Sequence, residues 1–180
     1  MIALDTNLLI YAHRSATAEH GAAREAIEAA LNSPGGCGIT VPSVAEFFSI
    51  VTHPTASGRP SPPKAAVDFL ASLREAGVEE LAFGPAFAAR LVQLAADMEV
   101  IGARSFALQV GLCALNAGAT QLWTHDSGFV KIPGLVIRDP LWRQLSARSR
   151  RGLIPASEGR IQAFIFCGGR LAWRRHLADI

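Results

Sequence analysis

Apolar residues fall into short continuous runs and longer stretches of helical spacing, and the two alternate along the chain. Ile2, Ala3 and Leu4 form an apolar run closed by Asp5, and residues 7–12 then read as a helix. Residues 17–31 are rich in Ala and Glu and end at Asn32-Ser-Pro-Gly-Gly, a helix with its stop. Residues 39–41 are strand-like. Pro42-Ser43 opens a helix that runs through Glu46 to about residue 52, where Pro54 and a Pro/Ser/Gly-rich loop to Pro63 end it. Val67, Leu70 and Leu73 set a helical period across 64–76, ending at Gly77. A strand at 78–83, helices at 85–98 and 106–116, and strands at 121–124 and 135–137 complete the pattern. Short apolar strands alternating with helices specify an α/β domain around a largely parallel sheet. In such sheets ligands gather at the carboxyl ends of the strands.

Composition narrows the class. Half of the 180 residues are hydrophobic and 18% are charged, enough for one sizeable core and too apolar for a disordered chain. Cys37, Cys113 and Cys167 are odd in number and far apart, with no CxxC pair, which suits a reducing cytoplasm. The opening Met-Ile-Ala-Leu-Asp does not read as a signal peptide. No stretch approaches the ~20 uninterrupted apolar residues of a membrane helix, since Arg90 and Asp97 interrupt the best candidate. The expectation is a soluble, cytoplasmic protein with no membrane partner.

Three acids then stand out by position. Asp5 and Asp126 each follow a strand, and Glu46 lies one turn into the helix after 39–41. If those strands are neighbours, the carboxylates converge on one sheet edge, where like charges repel unless a cation lies between them. Hard oxygen ligands suit Mg²⁺ or Mn²⁺, and such an ion can activate water against a phosphate. Each acid also has a plainer reading: Asp5 as a helix cap, Glu46 as a solvated helix residue, Asp126 as a turn residue. The combination, rather than any one site, favours the functional reading.

Other chemistries find little support. No HExxH, GxSxG, Walker or GxGxxG pattern occurs. A phosphatase with an aspartate nucleophile needs a second acid where Asn7 stands. His125 reads as a surface histidine, with substrate contact the alternative. Leu8, Leu9 and Tyr11 near Ile27 and Leu31, and likewise Phe47, Phe48, Ile50 and Val51, are either core or a docking face.

These blocks resemble a known family. Met1-Ile-Ala-Leu-Asp-Thr-Asn-Leu-Leu-Ile-Tyr-Ala is similar to the opening of PIN-domain nucleases, particularly the VapC toxins of toxin–antitoxin pairs. Val41-Pro-Ser-Val-Ala-Glu-Phe resembles their second acidic motif. Trp123-Thr-His-Asp-Ser-Gly-Phe, followed by Ile132-Pro-Gly-Leu-Val-Ile-Arg-Asp-Pro-Leu, resembles their closing motif and last strand. The resemblance covers about residues 1–141. It implies a three-layer α/β/α domain with a central, mostly parallel sheet, and a Mg²⁺- or Mn²⁺-dependent ribonuclease with an RNA substrate. It also implies a cognate antitoxin and a homodimer. Asp5, Glu46 and Asp126 would serve metal and water, Thr6 and Asn7 would orient Asp5, and Thr124 would fix the acids' geometry.

One position departs from the pattern. Counting back from Gly118 and Asp126 by the family's spacing, a further acid is expected at 107, where this chain has Ala107. Alanine keeps the helix but supplies no ligand oxygen. Two readings stay open: a nuclease whose acid has been replaced, by design or otherwise, or a degenerate PIN-like module that binds RNA or antitoxin without cutting.

Residues 142–180 lie beyond the resemblance and form a basic C-terminal extension. They hold eight arginines, no lysine and two acids, net +6, whereas residues 1–141 are net −4, so the chain's formal +2 is a cancellation. Residues 161–167 and 171–173 can pair as a hairpin around Gly168-Gly169. An RNA-binding arm, a swapped dimer appendage and a read-through segment all remain open for this tail.

Overall fold

The computed structural model describes residues 1–55 and 59–142, together with the backbone of two short strands in the tail. Its elements run β1 (Ile2–Leu4), α1 (Thr6–His13), α2 (His20–Leu31), β2 (Cys37–Thr40), α3 (Val41–Thr52), α4 (Pro63–Glu75), β3 (Glu79–Leu81), α5 (Phe87–Asp97), α6 (Arg104–Asn116), β4 (Gln121–Trp123) and β5 (Val136–Arg138). Each expected element forms, displaced by a few residues at its ends. The largest local change is at 39–41. The strand begins at Cys37, and Val41 already belongs to the helix, because the Thr40 side chain accepts from the Ser43 amide and caps α3.

All five strands are parallel, in the order β3-β2-β1-β4-β5. Alternation within β1 separates two cores. Ile2 and Leu4 join α1 to α4 on one face, while Ala3 joins Leu108, Val110, Ala114 and the 129–135 segment on the other. The result is the expected α/β/α layering. Strand β1 lies between β2 and β4, so the chain steps outward through β2 and β3 before crossing to the other side of β1. The strand order therefore reverses beside β1, where open α/β sheets leave a crevice.

The structure also decides the apolar positions left open by the sequence. Leu8, Leu9, Tyr11, Ile27, Phe47, Ile50 and Val51 are buried and belong to the core around α1 to α4. Their docking-face reading is thereby corrected. Leu31 packs partly buried against the same core, and only Phe48 of the set is exposed. Cys37 and Cys113 are buried free thiols. Among the described residues, no helix is long and apolar enough to cross a membrane.

In the tail, β6 (Ile165–Cys167) pairs antiparallel with β7 (Arg170–Ala172), Cys167 opposite Arg170, as the hairpin expectation anticipated. The other readings of the tail fall on 143–164 and 173–180, outside the described residues.

Candidate active site

Asp5 ends β1 and begins α1. Its backbone is extended (φ −78°, ψ 158°), and its amide donates to Trp123 O at 3.0 Å, which continues the β1–β4 pairing into the site. Its carboxylate is a junction of three donors. Oδ1 accepts the Thr6 amide at 2.8 Å, while Oδ2 accepts Asn7 Nδ2 at 2.7 Å and Thr124 Oγ1 at 2.6 Å. The helix-cap reading and the functional reading are thus both satisfied by one side chain.

Thr124 is the hub between strands. Its hydroxyl donates to Asp5 and accepts from Asn7 Nδ2 at 2.8 Å and from the Asp126 amide at 3.0 Å, using one donor and two lone pairs. Asn7 Oδ1 accepts the His125 amide at 3.1 Å, which fixes both ends of the Asn7 amide across α1 and β4. On the other side, Thr6 Oγ1 donates to Glu46 Oε2 at 2.6 Å and ties α1 to α3. Asp126 bends its own loop by accepting the Gly128 amide on Oδ1 at 2.8 Å, the turn role its sequence suggested.

Asp5, Glu46, Asp126 and Ala107 line one cleft of about 590 Å³ with Thr6 and Asn7. Position 107, expected to carry an acid, therefore faces the same space as the three acids. Thr124 stands behind Asp5, 2% exposed, rather than in the cleft wall.

Burial dominates the electrostatics. Asp5 is 7% exposed, and desolvation pushes its carboxyl up to about 7. The Thr124 bond and the Thr6 amide oppose that rise, while the charges of Glu46 and Asp126 add to it. Burial likewise raises Glu46, against the opposing Thr6 bond. Among the described residues, the ion pairs are Lys64–Asp68, Arg74–Glu80 and His125–Asp139, so none of the three acids has a cationic side chain as partner. A set of desolvated oxygen donors of like charge fits a hard divalent cation. Among the described residues, however, no three His, Cys, Asp or Glu side chains form a ready-made cage. The donor set matches in chemistry and falls short in number, with Ala107 in the wall where a further oxygen is expected.

A family model described as the PIN domain matches residues 2–135. The chain belongs to the PIN-domain family. Among PIN-domain relatives, it is 30% identical over 142 residues to VapC ribonuclease Mb2897 of Mycobacterium bovis, covering 78% of this chain and 96% of that one. It is 29% identical over 144 residues to Ribonuclease VapC48 of Mycobacterium tuberculosis, covering 76% and 94%. These relatives place it in the VapC ribonuclease toxin family. Two solved structures share the fold. One is the VapBC2 complex of Rickettsia felis bound to a DNA fragment from their promoter (TM-score 0.56, 22% identity, 77% and 98% covered). The other is VapC20 of Mycobacterium tuberculosis, a sarcin–ricin-loop-cleaving toxin (TM-score 0.55, 14% identity, 73% and 98% covered).

The sequence reading mistook one part of this PIN-domain site and missed another. His125 is not a surface histidine. Its side chain is 8% exposed, its ring meets Tyr11 edge-on, and Nδ1 lies 2.8 Å from Asp139 Oδ2. Burial alone would raise Asp139, but the His125 bond and the Leu141 amide outweigh it and hold the carboxyl below its ordinary value. The pair clamps the ends of β4 and β5 together beside Asp126. The signal was the parallel register, which sets Trp123 opposite Arg138 and so brings the next residues of both strands close. Arg104 and Phe106, in the cleft wall on α6, were also missed. Nothing in their spacing marks them without knowledge of which face of α6 meets the acids.

Proposed function

We propose that this chain is an endoribonuclease toxin dependent on Mg²⁺ or Mn²⁺, restrained by a cognate antitoxin and weakened by Ala107. The observation that carries the reading is the convergence of Asp5, Glu46 and Asp126 on one cleft, with burial raising Asp5 and Glu46 and no ion pair to any of the three among the described residues. Asp5, Glu46 and Asp126 would hold the cation. When bound, it supplies a water of lowered pKa and positive charge to stabilise the pentavalent phosphate.

The chain's own residues do the rest. Thr124 and Asn7 fix Asp5 Oδ2 by two donors, so this carboxylate is oriented before substrate arrives. The Thr6 hydroxyl holds Glu46 Oε2 and so restrains this carboxylate in the cleft wall. In the reaction, a water oxygen gives up a proton and attacks phosphorus, a P–O bond to the ribose breaks, and the departing ribose oxygen takes up a proton to become a hydroxyl. Relatives named as ribonucleases support RNA as substrate, and the VapBC2 complex supports an antitoxin as partner. A homodimer and a cytoplasmic location are part of the same proposal, as is a domain boundary near residue 141.

The decisive experiment is RNA cleavage by the parent and by Ala107→Asp in Mg²⁺ or Mn²⁺, with chelator and Asp5→Ala controls. Ala107→Asp should cleave at least about 100-fold faster than the parent, the scale on which metal-site groups act. Asp5→Ala in that background should return to baseline. An Ala107→Asp protein no more active than its parent under saturating Mn²⁺ would instead leave a non-catalytic binding module.

A further inference from the structure

An acid-lined cleft poses a problem for an anionic substrate. The phosphodiester must approach three carboxylates, and a cation placed among them compensates only at the reacting centre. Something must hold the flanking strand. Arg104 is the only Lys, Arg or His side chain among the described residues that line the cleft. It makes no hydrogen bond or ion pair with any described residue, although Asp5, Glu46 and Asp126 line the same cleft. Its guanidinium is therefore uncommitted, at a place where a committed one would neutralise the site.

Phe106 lies in the same wall and is 46% exposed, so part of its ring is open to the cleft side. Between α5 and α6, Ile101 at the rim is 80% exposed. Along α6, Ala103, Phe106, Ala107 and Val110 follow helical spacing into the cleft, with Arg104 at the margin of that face. Small side chains at 103 and 107 leave room beside a free cation and an open aromatic ring.

We propose that Arg104 and Phe106 grip single-stranded RNA beside the acids. Arg104 takes a backbone phosphate flanking the cleaved one, and Phe106 stacks on an unpaired base. The proposal rests on the ribonuclease reading and adds to it the two side chains that would hold the strand beside the acids. A planar guanidinium fork matches phosphate oxygens bidentately. Aromatic faces accept any base, so the grip selects unpaired structure rather than sequence. A duplex keeps its bases stacked and cannot offer one to Phe106.

The test measures binding rather than turnover. Fluorescence anisotropy of a labelled single-stranded RNA of about ten nucleotides, in Ca²⁺, compares the full-length parent with Arg104→Ala, Arg104→Lys, Phe106→Ala, Phe106→Trp and, as a surface control on α2, Arg24→Ala. Arg104→Ala should weaken binding roughly tenfold and reduce the salt slope by about 0.7, the value for one phosphate on a single strand. Arg104→Lys should restore the slope but only part of the affinity. Phe106→Ala should also lose roughly tenfold with its salt slope unchanged, and Phe106→Trp should recover it. Arg24→Ala should match the parent, and all variants should melt with it. If the parent binds RNA and both alanine variants bind equally well, the grip is wrong and the ribonuclease reading survives. Duplex RNA bound as tightly as the single strand would also overturn it. A parent that binds no RNA at all would sink the ribonuclease reading itself.

Discussion

Asp5 serves structure and chemistry at once, and the two demands conflict in the absence of a cation. Its three donors satisfy the carboxylate, yet burial still pushes it up to about 7. In metal-free protein this makes stability depend on pH in a definite sense. Below about 3.8 both folded and unfolded chains hold the proton. Between there and about 7 the unfolded chain releases it while the folded chain retains it, so the fold loses stability as pH rises. The loss reaches up to about 4 kcal/mol across that window, and Glu46 adds in the same direction. Asp139, held below its ordinary value, acts with the opposite sign, losing stability only as pH falls through the acid end. Thermal melts in chelator should therefore fall from pH 5 to pH 7.5, and Asp5→Asn should flatten that slope whatever its constant offset. Identical slopes for the two proteins would refute the assignment. The three acids were legible in the sequence because each follows a strand or opens a helix. The His125–Asp139 clamp was not, since its partners lie 14 residues apart and meet only through strand register.

At the scale of elements, the helix that carries Glu46 depends on a residue that looked like part of a strand. Thr40 is fully buried, its hydroxyl accepts the Ser43 amide at 3.2 Å, and it shares a further hydrogen bond of 2.9 Å with Ser43 Oγ. Removing it strips the cap from α3 and leaves the buried Ser43 hydroxyl without that partner. Thr40→Ala should cost about 1–2 kcal/mol by chemical denaturation, and Thr40→Ser should recover most of it. Because α3 holds Glu46 against Thr6, Thr40→Ala should also weaken Mn²⁺ binding by calorimetry. Unchanged stability would show that the cap is replaceable. The alternation of strands and helices was legible from apolar spacing, which differs between periods 2 and 3.6. The ends were not, because β-branched residues such as Ile39, Thr40 and Val41 favour a strand until a hydroxyl finds an amide three residues on. Helix α5 was legible as a helix, and its Leu91, Leu94 and Ala95, at helical spacing, pack partly buried against the second core.

At the scale of the molecule, two charge populations share one chain. Residues 1–141 are net −4 and surround an acidic cleft, while the remaining 39 are net +6. The strand order that brings Asp5 beside Asp126 is complete by β5, and Leu141, fully buried, is the last residue described in the main core. That places the proposed boundary just after it, which a chain ended at Trp142 can test. Since the described core draws on nothing beyond Leu141, residues 1–142 should melt within about 3 °C of the full chain, the shift expected for less than 1 kcal/mol in a domain of this size. RNA affinity should change differently. Eight arginines attract phosphate without regard to sequence, so the truncated chain should bind single-stranded RNA more weakly at low salt and with a shallower salt dependence. The two binding curves should converge as salt screens the tail, leaving the contribution of Arg104 and Phe106 visible in the shorter chain. A truncated chain that melts far below the parent would put part of the tail in the folding unit and move the boundary. Equal salt slopes would show that its arginines do not meet RNA.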